Sequence, residues 1–134
     1  MILLFCVTRS FAADTQECIT VRTPEELSTT LTARLDAERP TLIYARADWA
    51  INAITMNDTY VLSIAFHRAI RGITCVIVDA TAFSGAEGTA LFSQFEADGI
   101  PFFTLLNPMK KKVGTLKWGR DFFEFKTWLN TVKP

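Results

Sequence analysis

The sequence predicts one α/β domain whose central mixed sheet is covered by helices on both faces. Segments of strand and helix character alternate along most of the 134 residues, which favours parallel strands joined by helices. Residues 73–78 form an almost continuous β-branched and apolar run, as in a strand buried on both faces. Two further strand-like runs flank a turn at residues 107–109 and add an antiparallel pair. The predicted order is β-α-β-α-β-α-β-β-α.

The first predicted elements are a short strand over residues 19–22 and a helix that Thr23 caps. Pro24 suits the first helical position, and Glu26 lies three residues after the cap, where it completes a capping box. Leucines at every fourth position then give the helix one apolar stripe. The helix gives way to a predicted strand over residues 41–47.

The middle of the chain predicts two more helices, one on either side of the apolar strand. The first begins near Ile51, is interrupted at residues 57–58 and then resumes. Its resumed part places apolar side chains on one face: Leu62, Phe66, Ala69 and Ile70. We interpret residues 83–88 as a loop that leads into a helix over residues 89–98, which Gly99 ends.

The carboxyl-terminal part predicts a β-hairpin and a last helix. The hairpin strands cover residues 102–106 and 113–118, and Asp121 caps the helix with Glu124 three residues later. The buried face of this helix consists of Phe122, Phe125 and Leu129. With no linker or repeat in the sequence, we expect one domain over residues 18–133.

The composition argues against several classes of function. The chain is 49% hydrophobic and 21% charged, as in an ordinary globular protein. Its 14 basic and 14 acidic residues cancel, so no excess of positive charge points to nucleic acid. His67 is the only histidine and has no cluster of ligand residues at metal-binding spacing. We therefore expect no metal, no cofactor and no nucleic-acid partner.

The N-terminal segment has the pattern of a secretory signal peptide. Residues 2–7 are apolar, and Ser10 and Ala12 place small side chains where signal peptidase requires them. No basic residue precedes the apolar run, so a frayed N-terminal extension is the alternative for residues 1–13. Removal of a signal peptide would leave Cys18 and Cys75 as the cysteines of the exported chain.

Three motifs between the predicted elements carry a resemblance to a known family. Residues 47–53 read A-D-W-A-I-N-A, residues 99–101 read G-I-P, and residues 113–116 read V-G-T-L. They resemble, in order, the A-D-W-C-x-x-C motif, the cis-proline loop and the closing hairpin of thioredoxins. Over residues 39–129 the chain is similar to the C-terminal periplasmic domain of the thiol:disulfide interchange protein DsbD. The resemblance implies a thioredoxin fold with an added N-terminal strand and helix, in a periplasmic or otherwise exported protein.

The resemblance also implies that the redox chemistry of the family is lost. Ala50 and Ala53 occupy the two cysteine positions, and a methyl group cannot attack a disulfide. Tyr44 occupies the position of the buried acid of thioredoxins, and Asn57 that of a glutamate of the DsbD domain. We therefore expect no catalysis of thiol–disulfide exchange at this site. The two alanines are either a natural loss or a deliberate replacement in a copy of a protein-disulfide reductase.

The two cysteines of the predicted domain have open roles at this stage. Cys75 lies in the middle of an apolar strand, where a thiol is usually inert packing. Cys18 lies at the edge of the domain. The pair can form a structural disulfide in an oxidising compartment, but their separation in space cannot be read from the sequence.

The retained parts of the motifs predict a binding surface. In thioredoxins the loop before the cis-proline pairs with an extended peptide, which is a form of strand addition. The resemblance gives the residues of this surface as Trp49, Ala50, Ile51, Ala53, Ile100 and Pro101. The predicted partner is a protein or an extended peptide, with a membrane redox protein as one possibility. The alternative function is that of a periplasmic reductase, silenced in this copy, that passes electrons to partner proteins.

Overall fold

A computed structural model describes residues 18–33, 38–51, 60–117 and 121–133, and they form one α/β layer structure. The strands are β1 (Ile19–Val21), β2 (Thr41–Arg46), β3 (Thr74–Asp79), β4 (Phe102–Leu106) and β5 (Lys112–Lys117). The helices are α1 (Pro24–Ala33), α2 (Ile64–Ala69), α3 (Gly85–Phe95) and α4 (Phe122–Val132). A helical backbone also begins at Ile51. The predicted signal peptide, the interruption at residues 57–58 and the position of Ala53 lie outside the described residues.

The five strands form one mixed sheet in the order β1-β3-β2-β4-β5. β3 pairs in parallel with β1 and β2, whereas β4 runs antiparallel to both β2 and β5. The β-α-β crossovers account for the parallel pairs, and the tight turn after β4 accounts for the antiparallel pairing of β4 with β5. The predicted fold class, a mixed sheet flanked by helices, is confirmed.

The side chains of each strand alternate between the two faces of the sheet, so both faces carry apolar side chains, and helices cover both. Ile43 and Ala45 of β2 point into the core under α1 and α3, together with Leu91. Leu42 and Tyr44 point into a second core under α2 and α4, which is rich in aromatic side chains. The aromatic side chains of that second core are Tyr44, Tyr60, Phe66, Phe103 and Phe125.

The predicted helix caps are confirmed at α1 and α4. Glu26 N–H donates to Thr23 Oγ1 at 3.0 Å, which confirms Thr23 as the cap. Glu26 Oε1 accepts from the N–H of Arg22, the residue before the cap, at 2.8 Å, whereas the second bond of a capping box would use the Thr23 N–H. At α4, Glu124 N–H donates to Asp121 Oδ1 at 2.8 Å. These local bonds satisfy amide groups that have no partner inside the helix.

The prediction for α3 was wrong at both ends. The helix begins at Gly85 rather than residue 89, because Ser84 and Glu87 form a complete capping box. It ends at Phe95, where Glu96 takes a left-handed conformation with φ 55°, three residues before the predicted stop at Gly99. Two glycines in the first turn gave this segment the composition of a loop, although the cap is strong enough to start a helix.

The prediction for the face of α2 was also wrong in part. Phe66 and Ile70 are buried, but Leu62 precedes the helix and is 64% exposed. Ser63 caps α2 by accepting from Phe66 N–H at 3.1 Å, so Leu62 lies outside the helical periodicity. No helix among the described residues is long and apolar enough to cross a membrane.

The structure pairs Cys18 and Cys75 in a disulfide bond. Ile19 of β1 lies opposite Val76 of β3, and the two cysteines come one residue before this pair, so they face each other in the same parallel register. Their Cα atoms are 4.6 Å apart, within the range that a disulfide spans. Cys75 is buried and Cys18 is half-buried against the same aromatic core. The bond therefore fastens the short edge strand β1 to the sheet.

Candidate functional site

The edge of the sheet at the carboxyl ends of the parallel strands carries the residues that the sequence singled out. β2 ends at Arg46, and the chain then turns through residues 47–50 into the helical backbone at Ile51. The turn is closed by Ala50 N–H, which donates to Ala47 O at 3.1 Å. Ala50 is half-buried and packs against the core under α1 and α3. Its methyl group is therefore the only side-chain atom that this position offers.

Trp49 and Ile51 are the exposed apolar side chains of this turn. Trp49 is 62% exposed and Ile51 is 78% exposed. An indole so open to solvent is not a packing residue of the core. Large exposed apolar side chains that lie close together are more typical of a contact surface than of a monomer surface.

The Ile100–Pro101 peptide bond is cis, as the resemblance implies. Phe102, the next residue, starts β4 opposite Ala45 of β2, which places Pro101 at the same edge of the sheet as the turn after β2. Ile100 is buried in the core that also contacts Ala50. The structure thus brings the predicted residues 49–51 and 100–101 to one edge.

Burial changes the expected role of Ile100. The sequence predicts it as an apolar wall of the surface, but only 6% of it is exposed. Its side chain therefore anchors the cis-proline loop in the core. What this residue offers to a partner at the edge is its backbone.

A network of charged and polar side chains, which sequence reasoning missed, ties this edge together. Arg46 Nη2 contacts Asp48 Oδ1 at 2.6 Å, and Arg46 Nη1 contacts Asp79 Oδ1 at 3.3 Å. Arg22 Nε approaches Asp79 Oδ2 at 3.9 Å. Thr81 donates to Asp79 through both its N–H and its hydroxyl, and Thr81 Oγ1 accepts from Asp48 N–H at 2.9 Å.

The available sequence signal for this network was the position of its charges. Arg22 follows β1 directly, whereas Arg46 and Asp79 are the last residues of β2 and β3. The carboxyl ends of parallel strands meet at one edge, so charges that end such strands are candidates for contact. The register pairs Arg46 with Asp79 directly, which the sequence did not reveal.

The network sets the charge states of its members. Partial burial by itself raises the pKa of the Asp79 carboxyl, but the bonds from Thr81 and the guanidinium groups of Arg46 and Arg22 outweigh it and hold that pKa below its usual value. Burial by itself lowers the pKa of the Arg46 guanidinium. The contacts with Asp48 and Asp79 outweigh burial and raise that pKa above its usual value, so the guanidinium is charged. The network therefore joins two basic and two acidic side chains in three ion pairs, so its charges cancel.

The interior below the turn holds aromatic groups where the resemblance would place a carboxylate. Tyr44 is fully buried and stacks on Phe103 with ring centroids 4.8 Å apart. Tyr60 lies in the same core, and burial, followed by the neighbouring Tyr44, raises the pKa of its phenol. Within the described residues, no group hydrogen-bonds the Tyr60 hydroxyl. Neither tyrosine can take up a proton near neutral pH as a carboxylate can.

Of the other residues named from the sequence, the structure describes His67. His67 lies in α2, half-buried, with its ring edge against Phe66. Across the described ranges, no group of three or more histidine, cysteine or acidic side chains is placed to hold a metal ion. Ala53 and Asn57 lie outside the part of the chain that the structure describes.

Comparisons with known proteins show likeness at the level of structure. No protein-family profile matches the chain, and no curated protein matches its sequence. The C-terminal domain of DsbD from Neisseria meningitidis, in its oxidised form, matches with a TM-score of 0.69 at 17% identity, over 87% of this chain and 100% of that one. Thioredoxin O1 from Arabidopsis thaliana matches with a TM-score of 0.61 at 16% identity, over 87% of this chain and 98% of that one.

A bacterial thioredoxin gives the same picture. The solution structure of a thioredoxin from Thermus thermophilus matches with a TM-score of 0.62 at 21% identity, over 86% of each chain. These identities are too low to carry an activity across, but the likeness covers nearly all of each protein. Together with the strand order and the cis-proline, it shows that this chain has the thioredoxin fold.

Proposed function

We propose that this chain is a redox-inactive thioredoxin-fold module that binds an extended segment of a partner protein at the edge formed by residues 49–51 and 100–101. The observation that carries the proposal is the exposure of Trp49 and Ile51 beside the cis Ile100–Pro101 bond. A surface of this shape is retained, although position 50 offers only a methyl group. Such a surface can still recognise a partner by its shape and by backbone pairing, although it has no thiol.

The absence of thiol chemistry rests on which side chains the site contains. Position 50 is alanine, as is position 53, the second family position, and alanine has no group that ionises or attacks sulfur. Cys18 and Cys75 are bonded to each other, and Cys75 precedes the end of β3 by four residues. At about 3.3 Å per residue, Cys75 lies on the order of 13 Å along the strand from the edge that carries residues 49–51. The disulfide therefore cannot replace the missing pair at the site.

The mode of binding follows from the backbone at the cis-proline. β4 is paired on both sides, so the backbone groups open to a partner are those of the loop that precedes it, and the N–H and C=O groups of such a loop can pair with an extended peptide. Trp49 and Ile51 would then contact alternate side chains of that peptide. Aromatic side chains that are exposed before binding are common anchors of protein interfaces.

An exported location fits the same features. A disulfide that fastens β1 to the sheet forms and persists in oxidising compartments, such as the bacterial periplasm. The signal-like residues 2–12 point in the same direction. We propose a periplasmic or otherwise exported module whose partner is another exported polypeptide or a membrane redox protein.

A peptide-binding assay tests the proposal. Nine-residue peptides selected by display against the full chain are synthesised with a fluorescent label, and their affinities are measured by anisotropy. We expect Trp49→Ala to weaken binding by at least tenfold, or about 1.4 kcal/mol. Met109→Ala is the matched control, since Met109 is 76% exposed but lies in the turn after β4, at the opposite end of the sheet.

The outcomes separate the alternatives. Loss of affinity in Trp49→Ala with normal affinity in Met109→Ala supports the proposed edge. Equal affinities in both variants, or no peptide that binds the wild-type chain, would contradict it.

A second candidate is a silenced copy of a protein-disulfide reductase. The structural likeness to the DsbD domain and to thioredoxin O1, both solved in an oxidised state, favours it. Cysteine codons at positions 50 and 53 of the encoding gene would establish this candidate. Alanine codons there would leave the binding module as the proposal.

A further inference from the structure

The carboxylate of Asp79 joins the loops that follow all three parallel strands. It contacts Arg22 after β1, Arg46 at the end of β2, and Thr81 two residues after β3. The Asp79 and Arg46 side chains are only 18% and 15% exposed, so their contact is sheltered from competing water. A sheltered, multiply bonded pair of this kind is more rigid than a surface ion pair.

Two links connect this carboxylate to the turn that carries Trp49. Thr81 Oγ1 is held by Asp79 and in turn accepts from the backbone N–H of Asp48 at 2.9 Å. Arg46 is held by Asp79 on one guanidinium nitrogen and contacts Asp48 Oδ1 at 2.6 Å through the other. Both the backbone and the side chain of Asp48, the residue before Trp49, are therefore fixed by partners of Asp79.

We propose that Asp79 is a positioning residue, which sets the conformation of the turn at residues 47–50 and thereby the placement of Trp49 for binding. The effect on binding rests on the proposed function, whereas the effect of Asp79 on the conformation of the turn does not depend on it. Asp79 itself is an unsuitable partner contact, because its oxygens already face Arg22, Arg46 and Thr81. Its effect on a ligand must pass through the turn.

The Asp79→Asn variant tests this role because the amide keeps the size of the side chain and removes its charge. The amide oxygen can still accept from Thr81, whereas both guanidinium contacts lose their counter-charge. Thr81→Val is the second variant, and it removes the hydroxyl between Asp79 and Asp48 N–H. Glu96→Gln is the matched control, because it also removes the charge of a carboxylate. That carboxylate contacts Lys112 Nζ at 2.7 Å, at the opposite end of the sheet from Asp79.

Fluorine NMR of chains labelled with 5-fluorotryptophan supplies the readout. We expect the Trp49 resonance to shift or broaden in Asp79→Asn and in Thr81→Val. The Trp128 resonance should stay in place in both, because Trp128 packs against Phe125 and Phe103 in the core under α4. The peptide selected for the edge should bind both variants at least about fivefold more weakly and should bind Glu96→Gln normally.

Each outcome decides one question. If Trp49→Ala weakens binding but Asp79→Asn does not, the positioning role is wrong while the proposed function stands. If no peptide binds the wild-type chain, the proposed function fails. Independently of peptide binding, a Trp49 resonance that does not move in Asp79→Asn would overturn the positioning role. Equal movement of the Trp49 and Trp128 resonances would also overturn it, because Asp79 would then support the whole fold rather than the turn.

Discussion

Cys18 and Cys75 are bonded across two neighbouring parallel strands at matching positions, directly before the register pair Ile19 and Val76. This bond lies at the start of β1, and Arg22 contacts Asp79 at the other end of the strand. The three-residue strand is therefore held by covalent and ionic contacts at its two ends. A strand this short makes few ladder bonds of its own, so these contacts explain how it stays on the sheet.

Reduction of this bond should lower the free energy of unfolding. The cysteines are 57 residues apart in sequence, and opening a loop of this length releases chain entropy worth about 2–4 kcal/mol in the unfolded state. Urea unfolding with and without dithiothreitol, in a Cys6→Ser background, measures the difference. The Cys18→Ser variant should match the reduced chain and should not respond to the reductant. Identical midpoints for the oxidised and reduced chains would contradict the expectation.

The Asp79 carboxylate should make stability depend on pH. Because Thr81, Arg46 and Arg22 hold its pKa below the usual value in the folded state, its contribution is complete above the unfolded-state pKa of about 4. That contribution is lost as the pH falls through the lower folded-state pKa. We therefore expect Asp79→Asn to be less stable than the wild type at pH 7 and equal to it in strong acid. A stability difference that persists unchanged into strong acid would show that the charge of Asp79 is not its source.

Gly114 and Val132 should be coupled by their close approach. A Cβ atom at position 114 would lie 2.7 Å from Val132 Cγ1, which is closer than side chains pack without a shift. We expect Gly114→Ala to cost about 1–3 kcal/mol of unfolding free energy through overpacking. In the Val132→Ala background the same change should cost about 1 kcal/mol less, as a double-mutant cycle of urea unfolding measures. Additive effects of the two substitutions would contradict the contact.

Restored cysteines should recover little activity. The Ala50→Cys/Ala53→Cys variant supplies both thiols of the family motif, but Tyr44, buried at the position that the resemblance gives to the acid of thioredoxins, supplies no carboxylate. General acid–base catalysis contributes about 100-fold or more to such rates, so we expect insulin reduction at least about 100-fold slower than by a thioredoxin assayed beside it. The Ala50→Cys single variant is the control and should form mixed disulfides without turnover. A rate near that of the thioredoxin would show that Tyr44 is no obstacle.

Local sequence signals predicted most of the elements and their caps. Thr23 and Asp121 were found because a capping residue bonds amides only two or three positions away. The start of α3 was missed because the glycines at positions 85 and 88 suggested a loop, while Ser84 and Glu87 contained the decisive signal. Leu62 was assigned to a buried face by a periodicity that begins only after Ser63.

By itself, the sequence determined which reactive groups positions 44 and 50 can offer. Alanine at position 50 and tyrosine at position 44 exclude a thiolate and a proton-accepting carboxylate there, whatever the fold does around them. The tertiary structure alone decided that Cys18 meets Cys75 and that Arg46 meets Asp79. The reason is that such pairs depend on which strands are neighbours and in which register, and these are set by burial of the whole sheet rather than by residues adjacent in the chain.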